Sequence, residues 1–282
     1  MRKIYTRIEI LFILFAVLMV NCTKEDYTLP VDFRLNFLID EKPVISGMLT
    51  IDAINLGLKS LDIRGYRETG GDVFLTRSFN PGDTYVIMPN RLNKTIQLNI
   101  PQGVYNPISF SLVFQPDANE AELIEEFEDW FQSAEDAEDA EDDDDDDDDD
   151  DLEDLQEDLG DIIEDYLEDV KPCILVKGRF ISNMKTNHVI LAVNDPLTFM
   201  ILSKNRNGGK EVILDKNMEN NGNLIFDPSY WFSVITPEML SGALTGVIDE
   251  TNYIFLSKYF NSQIYNAIFN RIEESTSLTI NE

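Results

Sequence analysis

The chain has 282 residues and a formal charge of −31 at pH 7, from 53 acidic and 22 basic residues. An excess of carboxylate repels phosphate and no basic patch stands out, so nucleic acid is excluded as a partner. A single histidine excludes zinc sites built on two or more imidazoles, and two cysteines are too few for a disulfide framework.

The first seven residues carry Arg2, Lys3 and Arg7, and Ile10 to Val20 are eleven apolar residues without a break. A helix needs about 20 apolar residues to cross ~30 Å of hydrocarbon, so this stretch is too short to span. A basic start and an apolar core of this length mark residues 1–21 as a secretory signal peptide. A cysteine sits two residues past the core, in Met19-Val20-Asn21-Cys22. The arrangement resembles the lipobox of bacterial lipoproteins, with Met19 and Asn21 departing from its strictest form. That resemblance implies cleavage before Cys22, multiple acylation of that residue and firm attachment to the membrane. The next residues, Thr23-Lys24-Glu25-Asp26, are similar to the surface-export signal of Bacteroidota lipoproteins. Lys24, Glu25 and Asp26 then imply the outer face of the outer membrane of a Gram-negative bacterium, with residues 22–30 as a tether. Once Cys22 is acylated, Cys173 has no disulfide partner, and its apolar run Cys173-Ile174-Leu175-Val176 reads as packing.

Residues 31–116 read as an antiparallel β-sandwich. Val31, Phe33, Leu35, Phe37 and Ile39 alternate with polar residues, the pattern of a half-buried strand. Further strands are expected at Met48–Ala53, Leu61–Tyr66, Val73–Phe79, Tyr85–Met88, Thr95–Ile100 and Ile108–Phe114. Turns fall at Glu41-Lys42-Pro43, Gly70-Gly71, Asn80-Pro81-Gly82-Asp83 and Pro101-Gln102-Gly103. Seven short strands without helical periodicity suit a sandwich.

Residues 117–170 form an acidic helical insert. Between Asp117 and Asp169 there are 31 acidic residues and no Lys or Arg, and the rest of the chain balances at 22 of each sign. An Ala-Glu-Asp triplet repeat from Ala134 leads into ten aspartates: Asp142, Asp143, Asp144, Asp145, Asp146, Asp147, Asp148, Asp149, Asp150 and Asp151. Neighbours lie at most about 3.5 Å apart along the chain, inside the ~8 Å screening length. Unscreened repulsion without apolar compensation makes 133–151 a disordered, extended run. With no glycine to turn a loop and no fixed ligand geometry, it offers weak association of divalent cations and no defined calcium site. The flanks differ. Leu123, Ile124, Phe127, Trp130 and Phe131 fall on one helical face behind a capping box at Asn119 and Glu122. Leu152, Leu155, Leu159, Ile162 and Tyr166, widened by Ile163, Leu167 and Val170, form a second stripe. Such acidic helices are stable only with those stripes buried, either as a helical hairpin tipped by polyaspartate, across the adjoining β structure, or against a basic or apolar partner.

Residues 171–282 read as α+β, either a second domain or the completion of the first sheet. Strands are expected at Cys173–Phe180, Val189–Val193, Thr198–Leu202 and Glu211–Leu214, with a turn at Asn207-Gly208-Gly209. Thr236-Pro237-Glu238 starts a short helix, and Asn261 caps another whose buried face is Ile264, Tyr265, Ile268, Phe269 and Ile272.

Catalytic signatures are sparse. The one histidine, His188, falls at the start of a strand as a solvated edge residue, and no Gly-x-Ser-x-Gly elbow, Walker A or Gly-x-Gly-x-x-Gly motif is present. Nothing calls for a cofactor. Tyr230 and Trp231, beside Asp227 and Phe232, are a candidate stacking platform for a sugar, although such residues ahead of a capped helix are more often core. These features point to a non-enzymatic, lipid-anchored envelope protein that binds or scaffolds a protein or glycan at the cell surface. Two alternatives stay open: a surface enzyme acting on polysaccharide through paired carboxylates, and a calcium-responsive adhesion element built on the acidic run.

Overall fold

In the computed structural model, which describes residues 29–91, 93–116, 130, 132–133 and 148–281, the first alternating stretch forms strand β1 (Pro30–Ile39). Val31, Phe33, Leu35 and Phe37 are buried, and Asp32 and Arg34 face solvent. Strand β2 (Leu49–Arg67) merges the two strands expected at Met48–Ala53 and Leu61–Tyr66. The stretch between them keeps the alternation, with Ile54, Leu56 and Leu58 all buried, and Gly57 lies in mid-strand rather than in a turn. Then follow β3 (Val73–Ser78), β4 (Thr84–Ile87), β5 (Ile96–Pro101) and β6 (Gly103–Phe114). The turn expected at Pro101-Gln102-Gly103 shrinks to Gln102 alone, whose N–H donates to the Leu29 carbonyl.

The C-terminal part contributes helix α1 (Asp148–Asp169) and strands β7 (Ile174–Ser182), β8 (Lys185–Val193), β9 (Leu197–Asn205), β10 (Val212–Leu214) and β11 (Asn220–Phe226). Helices α2 (Pro228–Trp231) and α3 (Pro237–Ser241), strands β12 (Thr245–Ile248) and β13 (Thr251–Leu256), helix α4 (Ser262–Ser275) and strand β14 (Ser277–Asn281) complete it. The sequence reading missed β11 to β14. The first opens Asn-Asn-Gly-Asn, a composition that strands avoid. β12 and β13 are joined through Asp249 and Glu250, both at positive φ, without the usual Asn-Gly.

The protein is mainly β, and its strands form one large mixed sheet in the order β12-β13-β8-β7-β2-β6-β9-β14-β11-β1-β5, with β3 and β4 on β2 and β10 on β6. Pairs within residues 31–116 are antiparallel, as expected. Three others are parallel: β1 with β11, β8 with β13, and β9 with β14. Strands from both sides of the acidic segment are therefore neighbours. Inward side chains of β1 meet those of β6 and β4, with ring centroids of Phe33 and Phe110 5.8 Å apart and of Phe37 and Tyr85 5.7 Å apart.

β2 is the spine. Along one edge, β6 ends with Phe114 opposite Leu58 and β7 begins with Ile174 opposite Leu56. Between them Gly57 accepts from Gln115 N–H and donates to the Cys173 carbonyl. β6 and β7 thus run end to end, and the whole acidic segment leaves and returns opposite one residue. Along the other edge β3 and β4 also follow end to end, broken at Phe79–Asp83.

Helix α1 lies across the outer face of β7, β8, β13 and β12. Leu159, Ile163, Tyr166 and Val170 bury against Leu175, Ile190, Ala192, Phe255 and Phe260. Trp130 joins them: its ring centroid is 5.6 Å from that of Phe260, and its indole N–H donates to the Leu155 carbonyl. The helix sits unusually close, for a Cβ on Gly160 would lie 1.9 Å from the Val247 carbonyl oxygen. Gly246 opposite is also close, with a Cβ there 2.9 Å from the Gly160 nitrogen and 3.0 Å from the Leu159 carbonyl carbon. Asp148 to Asp151 belong to this helix, which corrects the disordered reading for that end of the run. Asp142 to Asp147 and nearly all of the earlier helical stripe lie outside the described residues.

Candidate functional site

Cys22, Lys24, Glu25 and Asp26 lie outside the described residues. The Tyr230–Trp231 platform is corrected. Trp231 is 0% exposed, packed edge-on against Phe226, and its indole N–H donates to the Ser275 hydroxyl. Tyr230 is 38% exposed, but the Arg271 guanidinium lies 4.2 Å from its ring centroid and its hydroxyl bonds Glu274. No paired aromatic surface remains for a sugar ring.

Asn261 also departs from expectation. It begins α4 in the left-handed region, and its side chain does not cap; it bonds the backbone of Leu244 and Phe255 instead. Thr236 caps α3 as expected, accepting from Met239 N–H, with Pro237 at the first helical position. His188 is no edge residue, because β8 has Arg179 on one side and Tyr253 on the other. Its ring lies 5.1 Å from that of Tyr253. Cys173 is buried, its Sγ 3.1 Å from the carbonyls of both Val193 and Asp195. The imidazole and the thiol therefore serve separate packing environments. Among the described residues no three His, Cys, Asp or Glu side chains converge as a metal site would need, and no helix is long and apolar enough to cross a membrane.

A cleft of about 640 Å³ opens where both neighbours of β2 break. Its floor is β2 from Gly57 to Asp62, one wall is the Phe79–Asp83 excursion, and the other is the root of the acidic segment at Gln115, Pro116, Lys171 and Pro172. The volume falls in the range of small-ligand sites, about 300–1,000 Å³. Ser60, Thr76 and Ser78 offer hydroxyls, Asp62 and Asp83 oppose Lys59 and Lys171, and Phe79 and the prolines supply apolar surface. The Thr76 hydroxyl donates to Asp62 at 2.6 Å, and Asn80 donates to Asp83 at 3.3 Å. Such a balance suits a polar ligand of low net charge. The merging of the two expected strands into β2 hid this place from the sequence reading. Comparison with known protein families, characterised proteins and solved structures finds no match.

Proposed function

We propose that this chain is a lipid-anchored cell-envelope protein that works by binding at the bacterial surface rather than by catalysis. The observation that carries the reading is the N-terminal order of basic start, eleven-residue apolar core and Cys22, followed by Lys24-Glu25-Asp26. The folded body begins at Pro30. A tether this short, at no more than about 3.6 Å per residue, keeps the body within roughly 30 Å of the acylated cysteine. In this reading the body is a two-layer sandwich beside the membrane. The acidic segment is a helical hairpin with polyaspartate at its tip, as the contact of Trp130 with Leu155 supports. The cleft at its root is the binding site.

Cys22→Ser is expected to abolish incorporation of a fatty-acid probe and to move the chain out of the membrane fraction. Replacing Lys24, Glu25 and Asp26 by alanine is expected to keep the label but reduce digestion by protease added to whole cells. Unchanged labelling of Cys22→Ser would sink the anchor, and a wild-type chain already shielded from protease would sink the outer-face assignment.

A further inference from the structure

Strands β5, β1, β11 and β14 lie side by side, and the pleat that turns Phe33, Leu35, Leu224 and Ile280 inward turns a different set outward. Gln97 and Asn99 come from β5, Asn36 from β1, and Asn221 and Asn223 from β11. In register, Arg34 sits between Gln97 and Asn221, and Asn36 beside Asn223, which itself faces Thr279. Asparagine is depleted from strands, so five amides on one face of three adjacent strands need a reason other than propensity. Mutual pairing accounts for one contact, Asn36 Nδ2 to Asn223 Oδ1 at 2.9 Å. The side chains of Gln97, Asn99 and Asn221 make no hydrogen bond among the described residues.

Two residues beyond Asn36 and Asn223, on the same face, come Leu38 and its partner Ile225. They floor a hollow of about 550 Å³ walled by Asp40, Glu41 and the Met88–Arg91 segment. The amide array therefore runs without interruption into a concave apolar floor. From Gln97 across to Thr279 the face spans three strand spacings, roughly 14 Å, which suits a chain rather than a single ring.

The chemistry of the array selects its ligand. A carboxamide presents a donor and an acceptor in one plane, which matches a hydroxyl that also does both. Across this face and its hollow Asp32, Asp40 and Glu41 balance Arg34, Lys204 and Arg91, so it has little net charge of its own, and the acidic segment elsewhere in the chain repels polyanions. We propose that this face binds a neutral glycan, its hydroxyls on the amides of β5, β1 and β11 and the apolar side of one sugar ring on Leu38 and Ile225. The site is separate from the cleft and needs no anchor, so its failure leaves the Cys22 experiment untouched.

The test is calorimetric titration of the full chain, in detergent micelles, with neutral gluco-, manno-, xylo- and galacto-hexasaccharides and with oligo-uronates of equal length. At least one neutral hexasaccharide is expected to bind, and the double variant Asn221→Leu/Asn223→Leu to weaken it tenfold or more at an unchanged melting temperature. If that variant does not fold, Gln97→Ala/Asn99→Ala on the terminal strand β5 carries the same expectation. Binding of no neutral sugar, stronger binding of the uronates, or affinity unchanged in a folded variant would overturn the proposal.

Discussion

Burial makes Asp227 harder to ionise, yet the Ser229 hydroxyl, the Lys42 ammonium and the Tyr230 N–H all bond its charged form and hold its carboxyl below the ordinary value. Lys42, bridging Asp40 and Asp227 at 2.7 and 3.0 Å, is pushed up to about 12 by those two partners. A carboxyl whose folded value is depressed adds stability above its unfolded value, near 3.9, and loses it as pH falls through the folded one. Asp227→Asn should therefore flatten the decline of stability below about pH 4, because Asn keeps the cap on α2 while losing the charge. Urea unfolding at a series of pH values checks this, and an unchanged acid slope would refute it. The same stretch shows what one sequence conveys about single residues. Asp227 followed by Pro228 repeats the pattern of Thr236-Pro237 and starts a helix, yet the sequence reading assigns no helix there. The burial of Trp231 depends on Ser275 and the stacking of Tyr230 on Arg271, each more than 40 residues away, and no local pattern encodes either.

Elements with a strong period were legible, and crossings between elements were not. The stripe through Leu159, Ile163 and Tyr166 foretold a helix that must bury one face, and α1 does so. What the stripe could not specify is the partner, because β12 and β13 alternate too briefly to be recognised. The same limit hid the outward amides, which count against a strand until the inward Leu224 and Phe226 are seen beside β1. Gly160 reads in sequence as a weak point in a helix, yet it is where α1 meets Val247. This gives a substitution whose sign is diagnostic. In an isolated helix Gly→Ala gains about 1 kcal/mol, whereas forcing a methyl into a closed contact costs about 1–3 kcal/mol. Gly160→Ala is expected to lower the melting temperature and to red-shift Trp130 emission as α1 lifts from the sheet. A rise in melting temperature would show that α1 is not docked on β12.

At the scale of the whole molecule, the excess charge is confined to one excursion, whose helix α1 docks on the sheet. The acidic segment holds 31 of the 53 carboxylates, the rest of the chain is balanced, and the segment joins the body at a single point opposite Gly57. An excursion whose two ends are already held together adds little closure entropy, since the cost grows only as the logarithm of loop length. Its repulsion is nevertheless felt by any state that keeps the carboxylates close. Removing Ala134–Asp147 and joining the ends with a short Gly/Ser linker should leave the sheet folded, with a melting temperature equal to or above that of the full chain. The difference should shrink as salt is raised and the charges are screened. Removing 117–170 should do the opposite, because Leu175, Ile190, Ala192, Phe255 and Phe260 lose their cover. Each fully buried Leu, Ile or Phe side chain is worth about 1.5–3 kcal/mol, so the larger deletion is expected to melt earlier and to bind a hydrophobic dye. Thermal unfolding of both deletions at low and moderate salt decides between a passive charged tip and a structural one. A fall in stability with the short deletion would mean that the polyaspartate supports the body, through a bound cation or a contact of its own, and the spacer reading would be lost.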